Sequence, residues 1–167
     1  MHSHPKGGIH TYPEDTEITG YIKLKVWVAA LDNIDTDVYA RICKLNRKGE
    51  QVFNHAGMLD YGGPNTMLRA SLRELDEDKS TPCEPFHTFN HPQLLTRGEP
   101  VELELGFWPT GLFFHAGESM ELYLAGFDYL ANNDPQMVVS DTRNRGKVRV
   151  LAGGAYDSYL LVPRIPD

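Results

Sequence analysis

Residues 21–28 read Tyr-Ile-Lys-Leu-Lys-Val-Trp-Val, and every second one, Ile22, Leu24, Val26 and Val28, is aliphatic. Side chains alternate between faces along a β-strand, so this spelling predicts a strand with those four turned to a core. Tyr21, Lys23, Lys25 and Trp27 fall on the other face. The same period of two returns in VELELGF, Val101–Phe107, and in MELYL, Met120–Leu124, with a short turn expected around Pro109 to Gly117 between them. Further candidate strands are Asp37–Leu45, Gln51–Leu59, Met67–Leu75, Lys147–Ala152 and Tyr159–Val162. Turn-forming clusters separate them, among them Arg47-Lys48-Gly49, Gly62-Gly63-Pro64, Arg97-Gly98, Ala116-Gly117 and Gly153-Gly154. Helical spacing of apolar residues is almost absent. About eight short strands with such punctuation predict an all-β sandwich or barrel.

Two stretches carry no pattern, Asp76–Thr96 and Ala131–Gly146. Both are long for connections inside a compact domain, which makes them candidate binding surfaces or interdomain contacts. The whole chain has 167 residues, enough for one sizeable core and short for two. Its formal net charge of -7 repels nucleic-acid phosphates and anionic lipid heads, so neither nucleic acid nor a membrane surface is expected as partner. Cys43 and Cys83 are too few for a disulfide framework and lack zinc-site spacing. They read as free thiols, and with no apolar run resembling a signal peptide near Met1 the expected location is cytoplasmic.

The chemistry of known catalytic motifs is missing. No serine stands in the G-x-S-x-G spacing that a nucleophile elbow requires. Cys83 lies between Pro82 and Pro85, which disfavours the helix start that would activate a thiolate, so an inert loop thiol is the favoured reading. Cys43 reads as a small apolar residue within a strand. His87 and His91 have a ligand-like spacing, but it converges only on a helix, and Pro92 opposes one, so no metal is assigned. His2, His4 and His10 read as a terminal tail. Asp32, Asp35 and Asp37 could hold calcium at a strand start, although the glycine and glutamate of a calcium loop are absent, and turn capping is favoured. Trp108 reads as packing. Trp27 stays open between packing and an interface, because its strand face is otherwise polar while tryptophan is enriched at interfaces.

Taken together, the wording of several segments goes further than their periodicity. EDTEITGYIKLKVWV (14–28), DTDVYARICKL (35–45) followed by Gly49-Glu50, LRASLREL (68–75), Arg97–Asp128 and GGAYDSYLLVPRIP (153–166) stand in this order. Together they resemble the C-terminal, non-catalytic domain of the X-Pro dipeptidyl-peptidase and cocaine-esterase family of serine hydrolases, from about Tyr12 to Pro166. The resemblance implies a jelly-roll sandwich of the galactose-binding-like type over residues 12–167, after an N-terminal tail of residues 1–11. It implies a catalytic α/β-hydrolase domain upstream or separate as partner, with the triad on that domain, so no catalytic residue and no cofactor is assigned here. Met1 lies only about a dozen residues before the resemblance starts, as in a cut-out piece, a gene fragment or a free-standing homologue.

The expected role is to pack on the hydrolase domain and shape its cleft. The docking face is expected on the strand carrying Trp27 or Arg69 and on the loop with His87 and His91. A domain separated from such a partner should expose an apolar patch and self-associate weakly. The alternative is a free-standing carbohydrate- or ligand-binding jelly roll, which rests on fold analogy and exposed aromatics.

Overall fold

A computed structural model describes residues 6–56, 59–127 and 144–166. The strand foreseen around 21–28 is β3 (Lys23–Ala30) in that description. To name its partners in chain order, β1 is Lys6–Thr11, β2 Thr16–Gly20, β4 Asp37–Leu45, β5 Gln51–Val52, β6 Asn54–Ala56 and β7 Leu59–Tyr61. Then follow β8 Asn65–Arg69, β9 Val101–Gly106, β10 Thr110–Phe114, β11 Ser119–Ala125, β12 Val148–Leu151 and β13 Tyr159–Leu161.

Along one side of β3 runs β9, and along the other β12 and β13 follow one another, all antiparallel. Leu24, Val26 and Val28 are buried, as their alternation requires. The backbone bond from Phe107 N to the Ile22 carbonyl carries this sheet on into the β2–β10 ladder, where Pro163–Ile165 flanks β2. We call this the first sheet. In the second, β4 is central: β11 pairs one edge, β8 and β5 share the other, and β1 adds to β11. Val38, Ala40 and Ile42 of β4 meet Leu103 and Leu105 of β9 and Met120 and Leu124 of β11 in one core. Each fully buried aliphatic side chain there contributes about 1.5–3 kcal/mol. The result is an all-β sandwich of antiparallel sheets, as the alternation predicted, and no helix among the described residues is long and apolar enough to cross a membrane.

The two long sides of the sandwich differ. Between β8 and β9 the chain makes an excursion over 73–100 that closes one side. Leu95 from it is buried in the core, and its backbone is tied down by Gln93 N to Ser71 O, Leu95 N to Ile34 O and Gly98 N to Ala30 O. The opposite side is narrower in the first sheet. That sheet is three strands wide, because β12 and β13 lie end to end, whereas the second has four, so β1 overhangs. A trough lies under the overhang, lined by Gly8, His10, Leu122, Leu124, Val150 and Leu160.

Several expected boundaries are corrected. Residues 1–11 are not wholly a tail, since Lys6–Thr11 pair with β11. The stretch Gln51–Leu59 is not one strand: β5 ends at Val52, and β6 and β7 form a separate hairpin. Met67–Leu75 is strand only to Arg69 and then turns through a 3-10 turn over Ala70–Leu72. There Ala70 N bonds the Thr36 carbonyl, which redirects the chain. The turn expected at Pro109–Gly117 contains β10. The unpatterned stretch Asp76–Thr96 is ordered by bonds between Asp76 N and Phe86 O and between Thr88 N and Glu74 O. Most of Ala131–Gly146 lies outside the described residues, as do His2 and His4.

Candidate interaction surface

The outward face of the first sheet carries the side chains that alternate with the core set. Opposite charges fill it in pairs. Lys23 Nζ lies 3.1 Å from Glu104, and Lys25 Nζ lies 2.9 Å from Glu102 and 3.0 Å from Asp157. Lys25 is held well above the usual lysine range by its bonds to Glu102 and then Asp157. Asp157 is held below the usual carboxylate range by Trp27 first and Lys25 second. The ring of Tyr159 lies 6.0 Å from Lys23 Nζ and 5.9 Å from Lys25 Nζ. Each of these charges has an opposite partner within the lattice, so covering it costs less than burying the same charges singly.

Trp27 sits at the end of that lattice and is half-buried. Its indole Nε1 donates to Asp157 at 3.0 Å, and its ring meets Tyr156 edge-on at 5.6 Å. Ser158 Oγ accepts from Trp27 N at 3.0 Å and donates to the Leu151 carbonyl at 2.7 Å. The segment Tyr156–Ser158 therefore folds over the indole, which is no open platform for a sugar ring. Trp108 behaves in the opposite way to its expected packing role. It is 83% exposed, because Phe107 takes the inward position and Pro109 follows at the step between β9 and β10. Tyr21, 40% exposed, stands at the matching step from β2 to β3, where Phe107 N bonds Ile22 O. Tyr159 and Leu161 add exposed apolar surface beside Lys25 and Lys23.

The excursion over 73–100 reaches the same face, since Pro85 packs on Gly106. His87 lies beside Glu104, and burial pushes its pKa below the ordinary histidine value, opposed by the Glu104 carbonyl. Its Nε2 is buried with no hydrogen-bond partner. His91 stays exposed, its Nδ1 3.3 Å from Glu74 Oε2, which Thr88 Oγ1 also reaches at 2.6 Å. The two histidines do not converge, and no metal-holding cluster of His, Cys, Asp and Glu occurs among the described residues. Arg69 belongs elsewhere. From β8 it donates to both oxygens of Asp37, at 2.7 and 3.2 Å, on the second sheet. Of the four expected interface residues, Trp27 and His87 thus share one face and Arg69 is committed to a structural pair.

Of the aspartates around the start of β4, Asp37 is the partner of Arg69 and Asp35 acts as a cap. Asp35 accepts from Thr36 N, Ser71 N and Ser71 Oγ, the last at 2.7 Å. Every described serine hydroxyl is engaged without histidine: Ser71 with Asp35, Ser80 with the Phe86 backbone, Ser119 with Thr11, and Ser158 with Leu151. Burial pushes the Cys43 thiol up to about 11, while Cys83 is an exposed loop thiol.

A family model described as the X-Pro dipeptidyl-peptidase C-terminal non-catalytic domain matches residues 10–161. The chain belongs to this family. The C-terminal-domain fold recurs in two structures of a CocE/NonD family hydrolase from Staphylococcus aureus, each with TM-score 0.87. They are 33% and 34% identical, over 95% and 94% of this chain. This chain spans only 30% of those hydrolases. An α-amino acid ester hydrolase shares the fold at TM-score 0.62 and 15% identity, over 94% of this chain and 25% of that one. No curated protein matches by sequence. The non-catalytic C-terminal domain is thus the chain's place in the family, and the hydrolases it resembles carry further chain beyond it.

Proposed function

We propose that the chain is the accessory domain of a serine hydrolase of the X-Pro dipeptidyl-peptidase or esterase class, packing on its α/β-hydrolase domain and shaping the cleft from outside. The observation that carries this reading is the match over residues 10–161 to a domain described as non-catalytic. The serine hydroxyls spent on structural bonds agree with it. The ion-paired face, with exposed Trp108 and Tyr21 on the same first sheet, suits docking, since exposed aromatics in a polar surround are the usual anchors of an interface. His87 and His91 flank that face from the excursion, and Trp27 stiffens it. A buried and an exposed free thiol, Cys43 and Cys83, suit the cytoplasm.

The test is hydrolysis of an X-Pro chromogenic dipeptide and an aryl ester by the chain alone and mixed with a relative's hydrolase domain. The chain alone is expected to be inactive, and the mixture to show a hydrolase domain of higher thermal stability. Turnover by the chain alone, abolished by a serine-directed inhibitor, would overturn the reading.

A further inference from the structure

The trough under β1 lies on the side of the sandwich left open. It has a volume of about 480 Å³, and a second hollow of about 430 Å³, lined by Val28, Val38 and Val148, adjoins it at Leu124 and Val150. We propose that it seats an extended apolar segment of the hydrolase domain, which pairs with β12 and β13 and brings the first sheet to the width of the second. The inference rests on the accessory reading above.

Register gives the first argument. Val148 and Val150 pair with Ala30 and Val28, whose side chains are buried at 1% and 0%, so they point to the same interior. Yet they are 37% and 44% exposed. Among the described residues no strand covers these inward-facing positions. On the other wall, Gly8 and His10 pair with Leu122 and Met120 of the core and face no opposing strand among the described residues. A Cβ placed on Gly8 would meet nothing within 4 Å.

The backbone gives the second. Among the described residues β1 pairs only with β11, and β12 and β13 only with β3, so each presents one free edge to the trough. Unpaired edges take up an added strand, with alternate side chains entering the apolar floor. A small ligand fits less well. It needs several convergent polar groups to orient it, and of the trough's polar side chains Ser158 Oγ is already spent on Trp27 N and Leu151 O, leaving His10 and Tyr159.

The identity of the occupant follows from where the family's domain begins. The match starts at His10, inside β1, and its description makes the domain C-terminal. In a full-length member the preceding chain therefore arrives at the trough itself. A tether that short gives its segments a high effective concentration there.

The test uses Val150→Lys, whose side chain the isolated fold leaves partly in water, with affinity for the separately made hydrolase domain of the S. aureus relative as readout. The substitution is expected to weaken binding about tenfold or more, the loss of one buried valine, with an unchanged melting temperature for the chain alone. Amides of Val148–Leu151 and Tyr159–Leu161 are expected to exchange more slowly in the complex. Undiminished binding by Val150→Lys overturns the seat while leaving the accessory reading standing. So does a self-associating chain that Val150→Lys turns monomeric without loss of hydrolase binding. A large fall in the variant's own melting temperature also overturns it, because the chain then fills the trough itself. Failure of the unsubstituted chain to bind overturns both.

Discussion

Replacing Arg69 by alanine removes the clamp between β4 and the start of the excursion. The Asp37 side chain is 1% exposed, and the Arg69 side chain reaching it is 27% exposed. Breaking a buried ion pair by deleting one partner costs about 3–5 kcal/mol, because a charge stays behind in a poor solvent. Water has access along the arginine side, which brings the cost below that scale, to about 2–3 kcal/mol. For a domain of this size each kcal/mol lowers Tm by about 2–4 °C, so Arg69→Ala should melt roughly 5–10 °C lower. Circular dichroism followed through thermal and urea unfolding measures it. The paired change Asp37→Asn with Arg69→Leu leaves no stranded charge, and should cost clearly less than the sum of the two single changes. A loss under about 1 kcal/mol for Arg69→Ala, or strict additivity in the cycle, would refute the claim that these groups hold each other.

Ser158→Ala should cost about 1–3 kcal/mol, because Trp27 N and the Leu151 carbonyl each lose a partner in a half-buried place; urea midpoints at constant slope would show it. Ile42→Ala, at a site of 0% exposure between the sheets, should cost about 2–5 kcal/mol by the same measurement. His87 supplies a pH dependence. Burial holds its folded pKa below the ordinary histidine value, so the unfolded chain binds more protons as pH falls through about 6.5. Stability therefore declines in that direction. Denaturant unfolding at pH 7.5 and 5.5 should show that His87→Gln flattens this slope, and an identical slope in the variant would refute the assignment.

Where one face of a strand is buried, the sequence spelled it out. The period of two located β3, β9 and β11, and the run Asp37–Leu45 located β4, although that strand is buried on both faces. It failed at β1, where Gly7 and Gly8 give no alternation and pairing with β11 alone makes the strand. It failed again at β10, whose Thr110–Phe114 looks like a loop beside Pro109. Burial at Tyr39 and Arg41 on the far face of β4 was equally invisible, since residue type there suggests water, whereas Cys43 is buried as its reading as a small apolar strand residue implies. At the candidate surface, Trp27 could be suspected from its polar neighbours. The exposure of Trp108 could not, because only the register that buries Phe107 decides which of the two aromatic residues turns out. The one signal available for Arg69 was an acidic residue at the start of β4, and it pointed to capping rather than to a pair across the sheet.

The placement of β3 has a consequence for synthesis. Trp27 is bonded to Ser158, which follows it 131 positions later, and β1 waits in the same way for β11. The first sheet cannot close until nearly all of the domain has left the ribosome, and the second must wait for β11, delays of roughly ten seconds at about 5–20 residues per second. In a full-length hydrolase the upstream domain would be folded by then. The late sandwich would close against a finished surface, with β12 and β13, its last strands, laid down beside it.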